Sequence, residues 1–302
     1  MRISVIIPAY NAQETIGRCI DSVLDNDYNN FEVIVVDDHS SDRTAEIVRA
    51  ISADRRLRIM NLSLNSGPAH SRNTGIRSSD GEVLLFLDSD SYVQKDWVRR
   101  HADLHKMFKA DIIGGGICSV CNTAFGRSDG FCNWWTSIPH SKDGYVKKLH
   151  LPTNNLSLRR SVFNRVGYLD EALISGEDAE FFFRAHRNGL KIYFKSDLTV
   201  YHSEKDTLSG FLRHQAKWGE QFFQMRRKRK MEYHYLVPDS SIKMYIYALP
   251  LAIAMTLFVV YKWLKYKPSV LFYVPLIFIG KCSHIAAVRE AFFQSRREGR
   301  VG

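Results

Sequence analysis

Twice in the first third of the chain, a short, mainly apolar run ends on acids. Phe31 to Val36 gives way to Asp37-Asp38, and Val83 to Leu87 gives way to Asp88-Ser89-Asp90. Ser4 to Pro8 and Leu57 to Leu62 are runs of the same kind. Helical patterns fall between them, from about Glu14 to Leu24, from Thr44 to Ile51 and from Pro68 to Arg77. Short strands alternating with helices imply an α/β fold with a parallel, doubly wound sheet.

That fold gives meaning to the strand ends. Tyr10, Asp37, Asp38, Asp88 and Asp90 all lie just past the C-terminal ends of predicted strands. In open α/β sheets that rim is where ligands bind. Asp88 and Asp90 place two carboxylates on one short turn. Magnesium and manganese favour such oxygen ligands, often one or two carboxylates completed by substrate phosphates. The plain alternative is a strand-terminating turn with solvated acids. Further on, a helix is expected to return after Ser175, opened by Ser175-Gly-Glu-Asp178, and to stop near Gly189, a C-cap glycine. The plain reading of its acids is a capping box begun by Ser175, with negative charge at the helix N-terminus complementing the dipole.

After Ile112 the pattern becomes irregular, and Gly114-Gly115-Gly116 and Phe131 to Trp135 suggest loops or a mixed sheet. The C-terminal third differs again. Arg226-Arg227-Lys228-Arg229-Lys230 is an unbroken basic run. It precedes an uncharged apolar stretch, Met244 to Tyr261, and a shorter one, Val270 to Gly280. Lys262, Lys265 and Lys267 lie between the two. The chain of 302 residues is 45% hydrophobic and 25% charged, so it buries a core, and its net charge of +10 points to an anionic partner. No recognition-helix or RNA-binding motif accompanies the basic run, so the anionic cytoplasmic leaflet of a membrane is expected rather than nucleic acid. Two bilayer crossings would put three lysines outside, against the positive-inside rule; helices lying in the membrane plane avoid this. A buried helical hairpin in a soluble protein is the third reading. The five cysteines, among them Cys118 and Cys121 in a C-x-x-C with Cys132 beyond, are too few and unpaired for a disulfide framework. The N-terminus shows no signal-like apolar region, so the catalytic part is expected in the cytosol. The expected division is a catalytic domain over 1–205, an amphipathic basic membrane-proximal segment over 206–240, and a membrane-associated helical hairpin with a basic tail over 241–302.

The segments Val5-Ile-Ile-Pro-Ala-Tyr-Asn11, Val36-Asp-Asp-His-Ser-Ser-Asp-Arg-Thr44, Asn65-Ser-Gly-Pro-Ala-His-Ser-Arg-Asn-Thr-Gly75, Phe86-Leu-Asp-Ser-Asp-Ser91 and Gly176-Glu-Asp-Ala-Glu-Phe181 follow one another in order. Together they resemble the family-2 glycosyltransferases across about two thirds of the chain. The resemblance implies the GT-A fold, a Rossmann-like mixed sheet flanked by helices, followed here by a hydrophobic helical membrane-attachment region. It implies that Pro8, Ala9 and Tyr10 line a nucleobase pocket, with Tyr10 stacking on the base, Asp38 hydrogen-bonding it and Asp37 beside it. Asn65, Gly67, Arg72 and Ser89 belong to the same donor site. Asp88 lies near ribose and metal, and Asp90 is the main ligand of Mn2+ or Mg2+. His202, after the strand-like Leu198 to Tyr201, is a further candidate metal ligand, or a strand-end histidine with no such role. Asp178 is the expected general base and Glu177 the runner-up. Asn154 and Asn155 border an acceptor pocket. Gln215-Ala-Lys-Trp218 loosely resembles the Q-x-x-R-W segment of processive synthases, with Lys217 in the arginine's place; Trp218 is a candidate for stacking on a sugar.

The expected activity is therefore inverting transfer of a sugar from a nucleotide-sugar donor, a UDP-sugar by resemblance, to a hydroxyl acceptor. That acceptor is a lipid-linked or cell-envelope glycan at the cytosolic membrane face. A polyprenyl-phosphate sugar synthase is the near alternative; its acceptor phosphate is already ionised and needs no base. A non-catalytic membrane-bound nucleotide-sugar binding protein and a nucleotidyltransferase are the remaining readings.

Overall fold

A computed structural model describes residues 1–147, 150–173, 176–229 and 245–297, without the side chains of 226–229. Ser175, Lys230 and Met244, and the basic side chains of Arg226 to Arg229, therefore lie outside the described residues.

Strands β1 (Ile3–Ala9), β2 (Phe31–Asp37), β3 (Leu57–Asn61) and β4 (Val83–Phe86) pair in parallel, in the order β3-β2-β1-β4. Parallel pairing sets their C-terminal ends along one edge, with Ala9 opposite Asp37. Beyond β4 the sheet turns antiparallel. β5 (Ser91–Val93), β6 (Ile112–Ser119), β7 (Gly144–Tyr145), β8 (Leu156–Arg159) and β9 (Ile192–His202) complete nine strands in the path β3-β2-β1-β4-β8-β6-β9-β5, with β7 on β9. The parallel pattern read from the first strands holds for that half, and the whole is the mixed sheet that the family resemblance implies.

Strand side chains alternate between two cores, as a pleat of period two requires. Ile3, Val5 and Ile7 face one core together with α1 (Ile16–Leu24), whose buried Ile16, Cys19, Ile20 and Val23 sit at helical spacing. α2 (Thr44–Ile51) and α4 (Trp97–Met107) contribute to the same core. Ile6, Leu84 and Phe86 face the other, with α3 (Pro68–Arg77), α6 (Ser161–Val166) and α7 (Glu177–Arg187). A Cβ on Gly75 would lie 2.6 Å from the Ile6 side chain, so only glycine lets α3 settle this close to β1.

The chain divides into two compact units, one of Met1–Cys118 with Thr136–Ser203 and one of Ser119–Trp135 with Glu204–Gly302. The segment Ser119–Trp135 lies inside the stretch expected to be catalytic, yet it packs with the C-terminal residues. It carries α5 (Ala124–Asn133), a helix where loops were expected. The second unit continues with α8 (Leu208–Arg229), α9 (Ala248–Leu264), a 3-10 turn (Pro268–Tyr273) and α10 (Val274–Arg297). The second apolar stretch is short only if it stops at Gly280, and it does not stop there. α9 is the shorter, and the second apolar stretch runs on through Lys281 and His284. Among the described residues it gives the one helical span, Pro268–Arg297, long and apolar enough to cross a membrane.

Candidate active site

The parallel half of the sheet delivers Tyr10, Asp37 and Asp38 to one edge. Two loops there brace each other. The amide of Asn11 donates to Ser40 Oγ at 2.9 Å, that of Ser41 to Asn11 Oδ1 at 2.9 Å and that of Ala12 to Thr44 Oγ1 at 2.7 Å. Asn11 and His39 both adopt left-handed backbone, with φ of 48° and 62°, as sharp exits from β1 and β2 demand. Tyr10 is half exposed beside this brace, while Pro8 and Ala9 belong to β1 itself.

Asp37 and Asp38 are both buried but differently engaged. Both carboxylate oxygens of Asp38 accept backbone amides, from Ser66 and Gly67, each at 2.8 Å. Gly67, at φ 86°, is the N-cap of α3, so Asp38 fastens the start of that helix, with Asn65 exposed just before it. The Asp37 carboxylate accepts only a long bond, from the Ser40 amide at 3.4 Å. Its buried Oδ1 has no hydrogen-bond partner among the described residues.

Arg72 is not a surface helix charge. It is 4% exposed and bridges Asp88 and Glu177, both at 2.7 Å. This links the strand-end turn to the N-terminus of α7, with Arg72 and Glu177 105 residues apart in sequence. Glu177 and Asp178 are buried on the first turn of α7, whose N-cap is Gly176 in left-handed conformation; among the described residues no side chain caps it. Burial pushes the Glu177 carboxyl up to about 7 despite the Arg72 guanidinium, and neighbouring Asp178 and Asp88 add to the rise. Burial also raises Asp178, while the Ala179 amide, 2.6 Å from Asp178 Oδ1, and Arg72 oppose the rise. Desolvation dominates because both carboxyls are buried, and the single guanidinium in reach does not offset it.

Asn154 orders the Asp88-Ser89-Asp90 turn. Its Oδ1 accepts the Asp88 amide at 3.1 Å and Ser91 Oγ at 2.9 Å. Asn155 does something else. It donates to Gly116 O and Leu198 O at 2.8 and 2.7 Å, and its Oδ1 accepts from Trp97 Nε1 at 3.0 Å. Its amide is fully engaged inside the core, so Asn155 ties β6, β9 and α4 together and does not border a pocket. Trp218 belongs to the second unit, where its Nε1 donates to His214 Nε2 at 3.0 Å.

Antiparallel pairing of β5 with β9 sets Ser91 opposite His202 and so brings the turn to the end of β9. His202 Nε2 then lies 3.2 Å from Asp90 Oδ1. No cluster of three or more described His, Cys, Asp or Glu side chains surrounds a single point. Yet one carboxylate and one imidazole converging beside Asp88 are a donor set that suits a divalent cation completed by phosphate oxygens and water.

A positioning pair was not read from the sequence. Asn73 of α3 donates to Leu169 O at 2.8 Å and accepts the Leu169 amide at 3.1 Å, holding the loop that leads to Gly176. Burial works against the Glu171 carboxylate, but hydrogen bonds from Asn73, His70 and Arg77 hold it down at about 2. Asn73 stands in a quoted segment, but its partners lie almost a hundred residues away and leave no local trace.

Residues 4–167, more than half the chain, match the family model described as Glycosyl transferase family 2. The chain belongs to that family. It is 35% identical over 206 residues to Glycosyltransferase AglE of Haloferax volcanii, covering 66% of each protein. It is 28% identical over 216 residues to the poly(ribitol-phosphate) β-N-acetylglucosaminyltransferase TarS of Staphylococcus aureus, covering 68% of this chain and 36% of TarS. The chain thus spans about two thirds of the length of the first relative and about a third of the second. In structure it resembles S. aureus TarS 1-349 in complex with UDP-GlcNAc, with TM-score 0.58 and 21% identity, over 99% of this chain and 93% of that one. It also resembles the mannosyltransferase PcManGT of Pyrobaculum calidifontis in complex with GDP-Man and Mn2+, with TM-score 0.65 and 17% identity, over 97% and 87% of the two chains. The fold is the GT-A fold of these proteins, a mixed α/β sheet flanked by helices.

Proposed function

We propose that this enzyme transfers a sugar, with inversion, from a UDP-sugar to a hydroxyl on a lipid-linked or cell-envelope glycan at the cytosolic membrane face. The observation that carries the reading is the buried pair Glu177-Asp178, tied through Arg72 to Asp88. Glu177 is engaged by Arg72. Asp178 keeps one carboxylate oxygen with no partner among the described residues, which makes it the better general base. The acceptor oxygen attacks the anomeric carbon as its proton passes to Asp178. The bond from that carbon to the donor's diphosphate breaks on the opposite face, and the diphosphate leaves with the electron pair.

On the donor side, the open Oδ1 of Asp37 takes an N–H of the base, Asp38 holds the loop that closes the pocket, and half-exposed Tyr10 stacks on the base. Asp90 and His202 hold Mn2+ or Mg2+, with Asp88 beside them. When bound, the cation offsets the negative charge that grows on the diphosphate. The UDP-GlcNAc bound to TarS and the GDP-Man and Mn2+ bound to PcManGT support a nucleotide diphosphate sugar and a divalent cation. In this reading residues 1–205 perform the chemistry, 206–240 lie near acceptor and membrane, and 241–302 attach the enzyme to the anionic leaflet.

The exposed apolar face of α9 favours a lipid-borne acceptor, which keeps a polyprenyl-phosphate acceptor as the second reading. The test is release of nucleoside diphosphate from a panel of nucleotide sugars with Mn2+ or Mg2+. Metal-dependent release from a uridine donor, lost in Asp90→Ala, is expected; release from a guanosine donor alone would overturn the uridine assignment. A transfer rate little changed in Asp178→Asn would replace the hydroxyl acceptor by a phosphate.

A further inference from the structure

α9 is apolar on two opposite faces. Ala252, Thr256, Val259 and Trp263 recur at helical spacing and are buried. On the other side Leu249, Ile253, Leu257, Tyr261 and Leu264 are exposed along the whole helix. The strip begins earlier, at Tyr245 to Tyr247, and continues to Leu271 and to Phe272, which is 86% exposed. A helix packed at the surface of a soluble protein would carry polar residues there. A contiguous apolar strip of this extent marks an interaction surface.

Charge identifies what it meets. No acid occurs between Tyr245 and Arg289, whereas Lys262, Lys265 and Lys267 cluster where α9 ends. Their ammonium groups lie 5.3 Å from the Phe258 ring, 5.7 Å from the Tyr266 ring and 5.6 Å from the Phe131 ring, so their stems cover apolar surface while the charges stay at its margin. Cations and aromatic rings bordering an apolar strip complement an anionic lipid surface.

α10 is long enough to span a bilayer, but it is bound along its length to α8. The Ser283 hydroxyl donates to Leu212 O at 3.0 Å and Lys281 to Gln215 Oε1 at 3.0 Å. A Cβ on Gly219 would strike the backbone of His284, and the Phe223 and Phe292 rings meet edge to face at 6.2 Å. The contacts advance together on both helices, so α8 and α10 run parallel side by side. A crossing by α10 would carry α8 into the hydrocarbon with its exposed Arg213, Lys217 and Glu220. α9, at 17 residues, is about 25 Å long and falls short of a hydrocarbon core of about 30 Å.

We propose that the second unit is a monotopic membrane module. The outward face of α9 and the 3-10 turn after it lie in the plane of one anionic leaflet, and α10 packs on α8 without crossing. This rests on the reading that the unit meets a membrane and not on the reaction. The lysine turn then stays on the side from which the segment enters, and the positive-inside conflict disappears.

The test uses the full chain, freed of detergent and mixed with preformed phosphatidylcholine vesicles with or without phosphatidylglycerol. The protein is expected to float with the anionic vesicles. Replacing Lys262, Lys265 and Lys267 by Gln should weaken that binding about a hundredfold, roughly fivefold for each basic residue near the surface. Leu257→Glu with Tyr261→Glu, both at exposed positions, should abolish flotation with the melting temperature retained. In sealed native membranes, an impermeant thiol reagent should add one adduct to Lys265→Cys from the same side as to Arg213→Cys, counted by mass over the natural cysteines. Labelling of Lys265→Cys from the opposite side only would overturn the proposal, as would a folded wild-type protein that never floats. Donor hydrolysis measured on the same samples separates this failure from failure of the proposed reaction.

Discussion

Each unit buries a polar cluster, and the two are built on different principles. In the second unit Asp129 is fully buried, with His214 Nδ1 at 2.6 Å from one oxygen and Gln215 and Asn133 donating at 2.8 and 3.1 Å to the other. Trp218 donates to the far nitrogen of His214 and Lys281 to the Gln215 carbonyl, so every donor meets an acceptor. In the first unit Asp88, Asp90, Glu177 and Asp178 gather around Arg72 and His202, and burial pushes two of the acids upward. A closed network of this kind holds helices in place. An acid-rich one gains from a cation and a proton brought by its ligands, which is what the proposed reaction supplies.

Breaking the acid-rich cluster should therefore affect rate more than folding. Asp178→Asn should cut transfer to the acceptor about 10²–10⁴-fold, the range for a general base, with donor affinity by calorimetry unchanged. A loss confined to donor affinity would remove Asp178 from the chemistry. Asp90→Ala should lower metal-dependent donor hydrolysis about 10²–10³-fold with little change in melting temperature. Equal activity with and without chelator in the wild type would deny the cation its place.

Arg72 joins the two behaviours. Arg72→Met leaves Glu177 and Asp88 without their guanidinium, and removing one partner of a buried ion pair costs about 3–5 kcal/mol. Chemical denaturation should show that loss together with loss of activity. Asp129→Ala should cost about 1–3 kcal/mol, since it strands donors without removing a reacting group. A loss of activity in Asp129→Ala as large as in Arg72→Met would erase the distinction between the clusters.

The sequence made the first half of this contrast legible. Strands ending in acids, a helix over Pro68–Arg77 and ordered segments along two thirds of the chain sufficed to place Asp37, Asp38, Asp88 and Asp90 on one rim. What they did not carry was partnership at a distance. That Asp38 is held by the Ser66 and Gly67 amides, that Asn155 is a core residue and that Arg72 reaches Glu177 all depend on antiparallel strands and loops with no local pattern. α5 was hidden because its glycines look like loop residues; a Cβ on Gly130 would strike Ser119, so the glycine serves close packing. The length of α10 was hidden because Lys281 and His284 interrupt its apolar run, yet both are buried against the bundle.

The smallest expected effect tests the acid-rich cluster most directly, because activity and stability should move in opposite directions. The Glu177 carboxyl titrates at about 7 in the fold against 4.5 unperturbed, and Asp178 is shifted the same way, in both cases mainly by burial. A base must be ionised, and burial shifts Asp178 upward, so kcat/KM at saturating metal should begin to fall with pH above where an exposed carboxylate would act. The fold binds these protons more tightly than the unfolded chain does. The Glu177 contribution to stability is therefore full below 4.5 and lost as pH rises towards about 7, and Asp178 contributes in the same direction. Between those limits the melting temperature should decline while kcat/KM climbs. Asp178→Asn should flatten the acid limb and reduce the slope in melting temperature, while Asp129→Ala should leave that slope as it is. An acid limb near the ordinary carboxylate range, with a flat melting profile, would mean that the two acids are solvated in the working enzyme and that the contrast between the clusters does not survive in solution.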